Sequence, residues 1–454
     1  MKHHNPVLYA LHEFHSQSLR TYFSTMSLAL TYQKALLQTT SAYGLTHNHY
    51  AAEAHKLITA SQQMSERMSK DYGKPEFNLR TTRIGAETVA VTEEITEEKP
   101  FCNLLHFKRQ TKRDDPKVLI VAPMSGHHAT LLRDTVAQLL PAHDVYITDW
   151  KDARHVPYDE GDFGLDDYIS YVKDFIKAIG PNTHVMAVCQ PTVPSLAAVS
   201  RLASENSPVQ PASLTLMGGP IDVSKAPTEV TELADRHSIG WFAKNMVGRV
   251  PNKYPGGGRL VLPGFLQLFS FVSMNPQRHA QSHRDLFKHA YHGEDEKADK
   301  IKDFYDEYFA VCDLPGKFYL ETVERVFKER ELARGIMKHD GKPVNPGDIK
   351  KTAVLTIEGE RDDISPPGHT LAAHGLLTGL KDDMRFNLLQ EGAGHYGIFS
   401  GSMWRKNVAP AVTGFIRKAA EKAGIKHDAL PENVKSNLPK TFGGKAPTDK
   451  KPAP

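Results

Sequence analysis

Six short apolar runs constrain this chain more than any other feature: KVLIVAP from Lys117, DVYITDW from Asp144, THVMAVC from Thr183, SLTLMGG from Ser213, KTAVLTIEG from Lys351 and MRFNLLQ from Met384. Each has strand length and almost no polar face, so each suits a strand covered on both sides. Helical patterns, ATLLRDTVAQLL and VPSLAAVSRLA, lie between the earlier runs. Strands alternating with helices predict an α/β architecture, a mostly parallel sheet with helices on both faces. TVAVTEEI and FCNLLHFKR read as an opening β-hairpin. The alternation pauses at Pro220 and resumes at Lys351, so residues 223–347 form an insertion between two strands of one sheet. Residues 1–75 carry helical spacing without strand signals and predict two or three amphipathic helices. The expected catalytic domain spans residues 76–427, and residues 428–454, rich in Pro and Lys, read as a disordered tail.

Composition narrows the function. A net charge of +3 argues against a nucleic-acid binder driven by phosphate contacts. The 3 cysteines suit a reducing compartment rather than a disulfide framework. The opening MKHHNPVLYALHEFHSQS lacks the apolar stretch and cleavage site of a secretory signal, and no run reaches membrane-spanning length. The expectation is a cytoplasmic protein with no transmembrane segment and no cofactor. Its oligomeric state is left open.

Cys189 ends the run HVMAV just before a helix that opens at Pro191. Ligands of such sheets sit at the carboxyl ends of strands. A thiol there faces a helix N-terminus, which favours the nucleophilic thiolate. The stretch Ala187-Val188-Cys189-Gln190-Pro191 fits a nucleophile elbow, with Pro191 in the place of the second glycine. A free cysteine is equally at home as a small buried hydrophobe. The later strands supply what a nucleophile would need. IEGERDDISP offers Asp362 and Asp363 after one strand end, and EGAGHYGIFSG offers His395 after the next. Nucleophile, acid and histidine in that order, each at a strand end, are the arrangement of an α/β-hydrolase. The oxyanion donors would then be the N–H of Gln190 and that of Met124 or Ser125, on the loop after the strand VLIVAP. On that loop His127 and His128 are candidates to touch substrate, or are solvated loop residues.

The chain resembles the intracellular poly(3-hydroxybutyrate) depolymerases. The resemblance rests on LYALHEFHSQSLR, EKPFCNLLHFKR, APMSGHHATLLRDTVAQLLPAHDVYITDW, VCQPTVPSLAAVS, LMGGPID, FYDEYFAV, EGERDDIS and GHYGIFSG, and reaches to about residue 420. It implies an α/β-hydrolase fold with a Cys–Asp–His triad on Cys189, Asp362 and His395, selecting Asp362 over its neighbour. It also implies hydrolysis of amorphous polyester at the granule surface, through a thioester. The family's own nucleophile box lacks the second glycine, so Pro191 is no departure.

The insertion holds the apolar run RLVLPGFLQLFSFVSMNP, in which Phe265 and Phe269 either grip a polyester chain or pack the lid. His12-Glu13-Phe14-His15 is one residue short of a zinc-binding H-E-x-x-H, and His279 with His283 has no third partner, so no metal is expected. Two other readings share the same residues: a polyhydroxyalkanoate synthase-like acyltransferase and a non-catalytic granule-coat protein. Synthases carry G-x-C-x-G and an Asp-His pair at the acid loop. Ala187, Pro191 and Asp363 stand in those places here.

Overall fold

The structure is a computed structural model that describes residues 8–42, 48–274 and 276–439. The apolar runs become the strands of one nine-stranded sheet, ordered β1-β2-β3-β5-β4-β6-β7-β13-β14. Its strands are β1 (Thr81–Ile84), β2 (Glu87–Glu98), β3 (Cys102–Arg109), β4 (Lys117–Val121), β5 (Asp144–Trp150), β6 (His184–Val188) and β7 (Ser213–Met217), then β13 (Ala353–Gly359) and β14 (Arg385–Gln390). The predicted hairpin is β2 and β3, paired antiparallel. From β5 to β14 every neighbour is parallel. Every residue of β6, β7 and β13 is buried, as expected of strands covered on both faces. With α3 (Arg133–Leu139), α4 (Leu165–Ile179) and α5 (Thr192–Ser204) as crossovers, this is an α/β-hydrolase fold.

β7 and β13 are direct parallel neighbours, with Ser213 opposite Ala353. The residues between them leave and re-enter the sheet at adjacent strand positions. They fold into α6 (Glu229–Arg236), α7 (Ile239–Met246), α8 (Gly264–Met274), α9 (Pro276–His292), α10 (Asp295–Tyr308) and short paired strands, β8 (Gly248–Arg249), β9 (Leu260–Leu262), β10 (Leu314–Pro315), β11 (Lys338–His339) and β12 (Lys342–Pro343).

The N-terminal region is two helices, α1 (Leu8–Ala42) and α2 (Asn48–Ser69). They run antiparallel, with Gln62 bonded to Thr31 and Gln38 to His55. The half-buried positions of α1 recur every three or four residues, at His12, Ser16, Arg20, Phe23, Ser27 and Leu30. That is the spacing of one helix face turned toward a partner. No described helix is long and apolar enough to cross a membrane.

The reading of a disordered tail does not hold at the start of 428–454. Asp428 N–H donates to Asp114 O at 3.0 Å, and Asn433 Oδ1 accepts from Gly85 N–H at 2.8 Å, so residues 428–433 are tied to the body. Composition missed these bonds because they join segments far apart in sequence. The rest of the predicted tail, 440–454, lies outside the described residues.

Candidate active site

β6 delivers Cys189 at φ +68°, in the left-handed region that a side chain rarely adopts. Such strain persists only when the surroundings hold it. Here Cys189 N–H donates to Met217 O at 2.7 Å, and Thr192 N–H donates to Cys189 O at 3.1 Å. The turn also needs the two glycines that end SLTLMGG. A Cβ on Gly219 would stand 1.9 Å from Thr192 Oγ1 and 2.5 Å from Cys189 O. A Cβ on Gly218, at φ +54°, would meet Ile398 Cδ1 at 2.7 Å and stand 3.3 Å from both Asp362 Oδ2 and His395 Cε1. These glycines lie beneath the candidate triad, and their only sequence signal was a Gly-Gly pair at a strand end.

Asp362 and His395 meet as their order in the chain predicted. His395 Nδ1 donates to Asp362 Oδ2 at 2.7 Å, and both side chains are buried. The other carboxylate oxygen accepts from Ile364 N–H at 2.9 Å and Ser365 N–H at 2.8 Å. Asp363, the adjacent candidate, is exposed. Glu358, inside the apolar strand β13, was passed over by sequence reasoning. Its Oε1 accepts from the N–H groups of Gly368, Thr370 and Leu371 at 2.8–2.9 Å, which pins the loop that follows the acid. Burial raises the Glu358 pKa against those bonds.

The electrostatics join the three side chains. Burial presses the His395 imidazole toward its neutral form. The negative charge available at Cys189, the Asp362 carboxylate and hydrogen bonds to both outweigh it, so the His395 pKa is raised well above its ordinary value. Cys102 and Cys312 differ: both are buried and desolvation pushes their thiols well up, whereas Cys189 is half-buried.

On the loop after β4, Met124 is buried, and its N–H donates to the Gln190 side-chain Oε1 at 3.3 Å. An amide oxygen thus lies on one of the two candidate oxyanion donors. Gly126, at φ +108°, approaches α8 so closely that a Cβ would stand 2.8 Å from Gln267 Oε1. His127 faces the insertion. Its Nε2 bonds Tyr308 O at 3.1 Å and its ring lies 5.1 Å from Phe271, with burial holding its pKa at about 4. His128 is also buried, with Nδ1 lacking a partner among the described residues. Burial, then the charges of Lys74, His127 and Arg154, holds its pKa at about 4. The solvated-loop reading therefore fails for both histidines.

The two lid phenylalanines separate. Phe265 stacks on His12 of α1 at 3.6 Å and meets Tyr9 edge-on at 6.0 Å, while Phe269 is 71 % exposed. They form no joint wall, because the first turns of α1 cover only the start of α8. Gln267 and Phe271 of the same helix are the residues that meet the loop after β4. The apolar run located the helix but did not reveal which face it turns inward.

Residues 218–420 match the family described as PHB de-polymerase C-terminus. The matched region holds Asp362 and His395 and begins after Cys189. No curated protein matches the chain. Among solved structures, a lipase of Acinetobacter baumannii is similar at 13 % identity over 73 % of this chain and 93 % of its own, with a TM-score of 0.44. A non-heme bromoperoxidase of Mycobacterium tuberculosis is similar at 14 % identity over 74 % of this chain and 98 % of its own, with a TM-score of 0.42. A thermophilic esterase of Thermogutta terrifontis is similar at 12 % identity over 72 % and 98 %, with a TM-score of 0.40.

Proposed function

We propose that this protein is a carboxylic ester hydrolase that cleaves amorphous poly(3-hydroxybutyrate) through a thioester on Cys189, in the cytoplasm at the polymer granule. The observation that carries the reading is the buried His395, held by Asp362 on one side and charge-coupled to Cys189 on the other. The family of residues 218–420 supports the ester substrate class.

In this mechanism the Cys189 thiolate attacks an ester carbonyl carbon of the polymer. The oxyanion is received by backbone N–H groups of Gln190 and of Met124 or Ser125. The Gln190 carboxamide leaves the Met124 N–H as the substrate oxygen arrives. The C–O bond breaks, His395 protonates the departing 3-hydroxyl of the chain, and an acyl-thioester remains on Cys189. His395 then takes a proton from water, the resulting hydroxide attacks the thioester, and the hydroxy acid or oligomer leaves as the thiolate re-forms. Asp362 keeps the imidazole tautomer with Nδ1–H and stabilises its charge.

The test is release of 3-hydroxybutyrate and its oligomers from amorphous granules, wild type against Cys189→Ala. Release by the wild type alone is expected. Chain growth from an acyl donor without release would make the protein an acyltransferase. Equal inactivity of both proteins would leave a coat protein.

A further inference from the structure

The outer face of α1 carries no formal charge. Of the residues of α1 whose exposure is described, not one exposed position is Asp, Glu, Lys or Arg; Glu13, Arg20 and Lys34 are all half-buried. Glu13 is held by Tyr254 Oη at 2.8 Å and Lys253 Nζ at 3.0 Å, and Arg20 by Asp71 at 2.8 Å. Yet charged residues make up 24 % of the chain, and α10 exposes ion pairs along its length. The charge-free face is also apolar. Phe14 is 72 % exposed, Leu28 71 % and Tyr32 72 %. With Leu11, Tyr22 and Leu36 they fall within about a third of the circumference, along a helix about 50 Å long.

Even the hydroxyls of this face turn inward. Ser18, Thr21, Thr25 and Thr39 each donate to the carbonyl four residues earlier, at 2.8–2.9 Å. Their polar atoms are satisfied within the helix, as in a helix that contacts an apolar medium.

The inner side of the same helix is tied to the candidate site. Tyr9 Oη of α1 donates to Asp313 at 2.8 Å, and His12 stacks on Phe265, which ties the start of α1 to α8. α8 lies over the loop after β4 and carries the exposed Phe269. We infer that the outer face of α1, extended by Phe269, docks the enzyme on an uncharged aliphatic polyester surface and sets the mouth of the site against it. This rests on the polyester reading above. Two competing occupants fit less well. A helix that lies on anionic lipid is rich in Lys and Arg on its polar face, whereas α1 has only Arg20, paired with Asp71, and Lys34. A coiled-coil seam with a second copy is a narrow stripe flanked by charges that set its register, whereas this arc is broad and unflanked.

The test uses full-length Cys189→Ala protein, which leaves polymer intact, sedimented with artificial amorphous poly(3-hydroxybutyrate) granules. Adding Phe14→Glu, Leu28→Glu and Tyr32→Glu together is expected to lower granule binding at least tenfold. Leu at Phe14 and Tyr32 is expected to keep binding, which separates apolar contact from loss of fold. The three Glu substitutions in the wild-type background are expected to leave p-nitrophenyl butyrate hydrolysis within twofold. Undiminished granule binding by the charged variant would overturn the docking face. So would a wild-type dimer that the variant dissociates, or equal binding to phosphatidylglycerol vesicles. If wild type hydrolyses no ester yet binds granules through these residues, the docking face stands and the hydrolase reading falls.

Discussion

The loop end of the sheet and the outer face of α1 treat polar groups in opposite ways. At the loop end, charge is buried and answered: Asp362 accepts two backbone N–H groups and His395, and Glu358 accepts three more N–H groups. Every bond there fixes an angle, and a strained Cys189 is held in place. On α1 no exposed position among the described residues is Asp, Glu, Lys or Arg. The first region has the geometry chemistry demands, where small displacements are costly. The second has the tolerance an amorphous surface demands, since such a surface offers no fixed partner. The proposed hydrolysis of a solid polymer requires both, and this chain keeps the two regions on separate elements joined through Tyr9, His12 and Phe265.

The sharpest break of that contrast is at the acid. Asp362→Asn keeps the shape of the side chain but no longer fixes the Nδ1–H tautomer of His395. We expect a loss of about 10⁴-fold in kcat on soluble and polymeric esters alike. Asp363→Asn changes an exposed side chain and should stay within about threefold, in line with surface substitutions. Steady-state kinetics on p-nitrophenyl butyrate decides it, and a larger loss at Asp363 would move the role to that residue.

A second test contrasts His395 with the histidines buried elsewhere. Burial holds His127, His128 and His374 neutral with pKa values of about 4, and His143 and His184 at about 3, against 6.5 in a free chain. Between pH 6.5 and those values the unfolded chain takes up protons that the folded chain refuses. Stability from these groups is therefore full above about pH 6.5 and is lost as pH falls. His395 has the opposite sign. Its pKa is raised, so its contribution is full below the unfolded value and is lost as pH rises through the folded one. Urea unfolding from pH 7 to 4.5 should show stability falling on the acid side, at up to about 1.4 kcal/mol per pH unit for each histidine fully engaged. His374→Gln should flatten the slope by about one proton. A flat profile over this range would show that these imidazoles are not held neutral by the fold.

Much of the fold was legible because strand identity is written in composition: fully buried strands must be apolar along their whole length, and all six runs are strands of one sheet. The meeting of His395 and Asp362 was legible because chain order along a parallel sheet sets which loops converge. What was not legible depends on close approach and on facing. Gly218 and Gly219 show their purpose only once the atoms a Cβ would strike are known. Glu358 looked like an ordinary strand residue, because its three N–H partners come from a loop whose path the sequence does not state. The burial of the loop histidines was not legible because Tyr308 and Phe271, which cover His127, lie far away in the chain.

The smallest effect, and the finest probe of the contrast, lies within α8. Phe265 and Phe269 are four residues apart, yet one is clasped by α1 and the other is 71 % exposed. Removing Phe265 takes away a stacked ring that joins the two regions. Being only half-buried, it should cost about 1–3 kcal/mol, below the 3–5 kcal/mol of a fully buried Phe→Ala. Phe265→Ala should therefore lower Tm and weaken activity on every substrate together. Phe269→Ala removes no internal contact of comparable kind, so stability should move by no more than about 0.5 kcal/mol. If this ring meets polymer outside the reacting bond, its binding energy helps position the ester only when the substrate is long enough to reach it. The expected result is about a threefold to fivefold loss on amorphous polyester, with p-nitrophenyl butyrate unaffected. Equal losses on both substrates, or a Tm drop matching that of Phe265→Ala, would place Phe269 in the packing of the lid. The polymer contact would then be confined to α1.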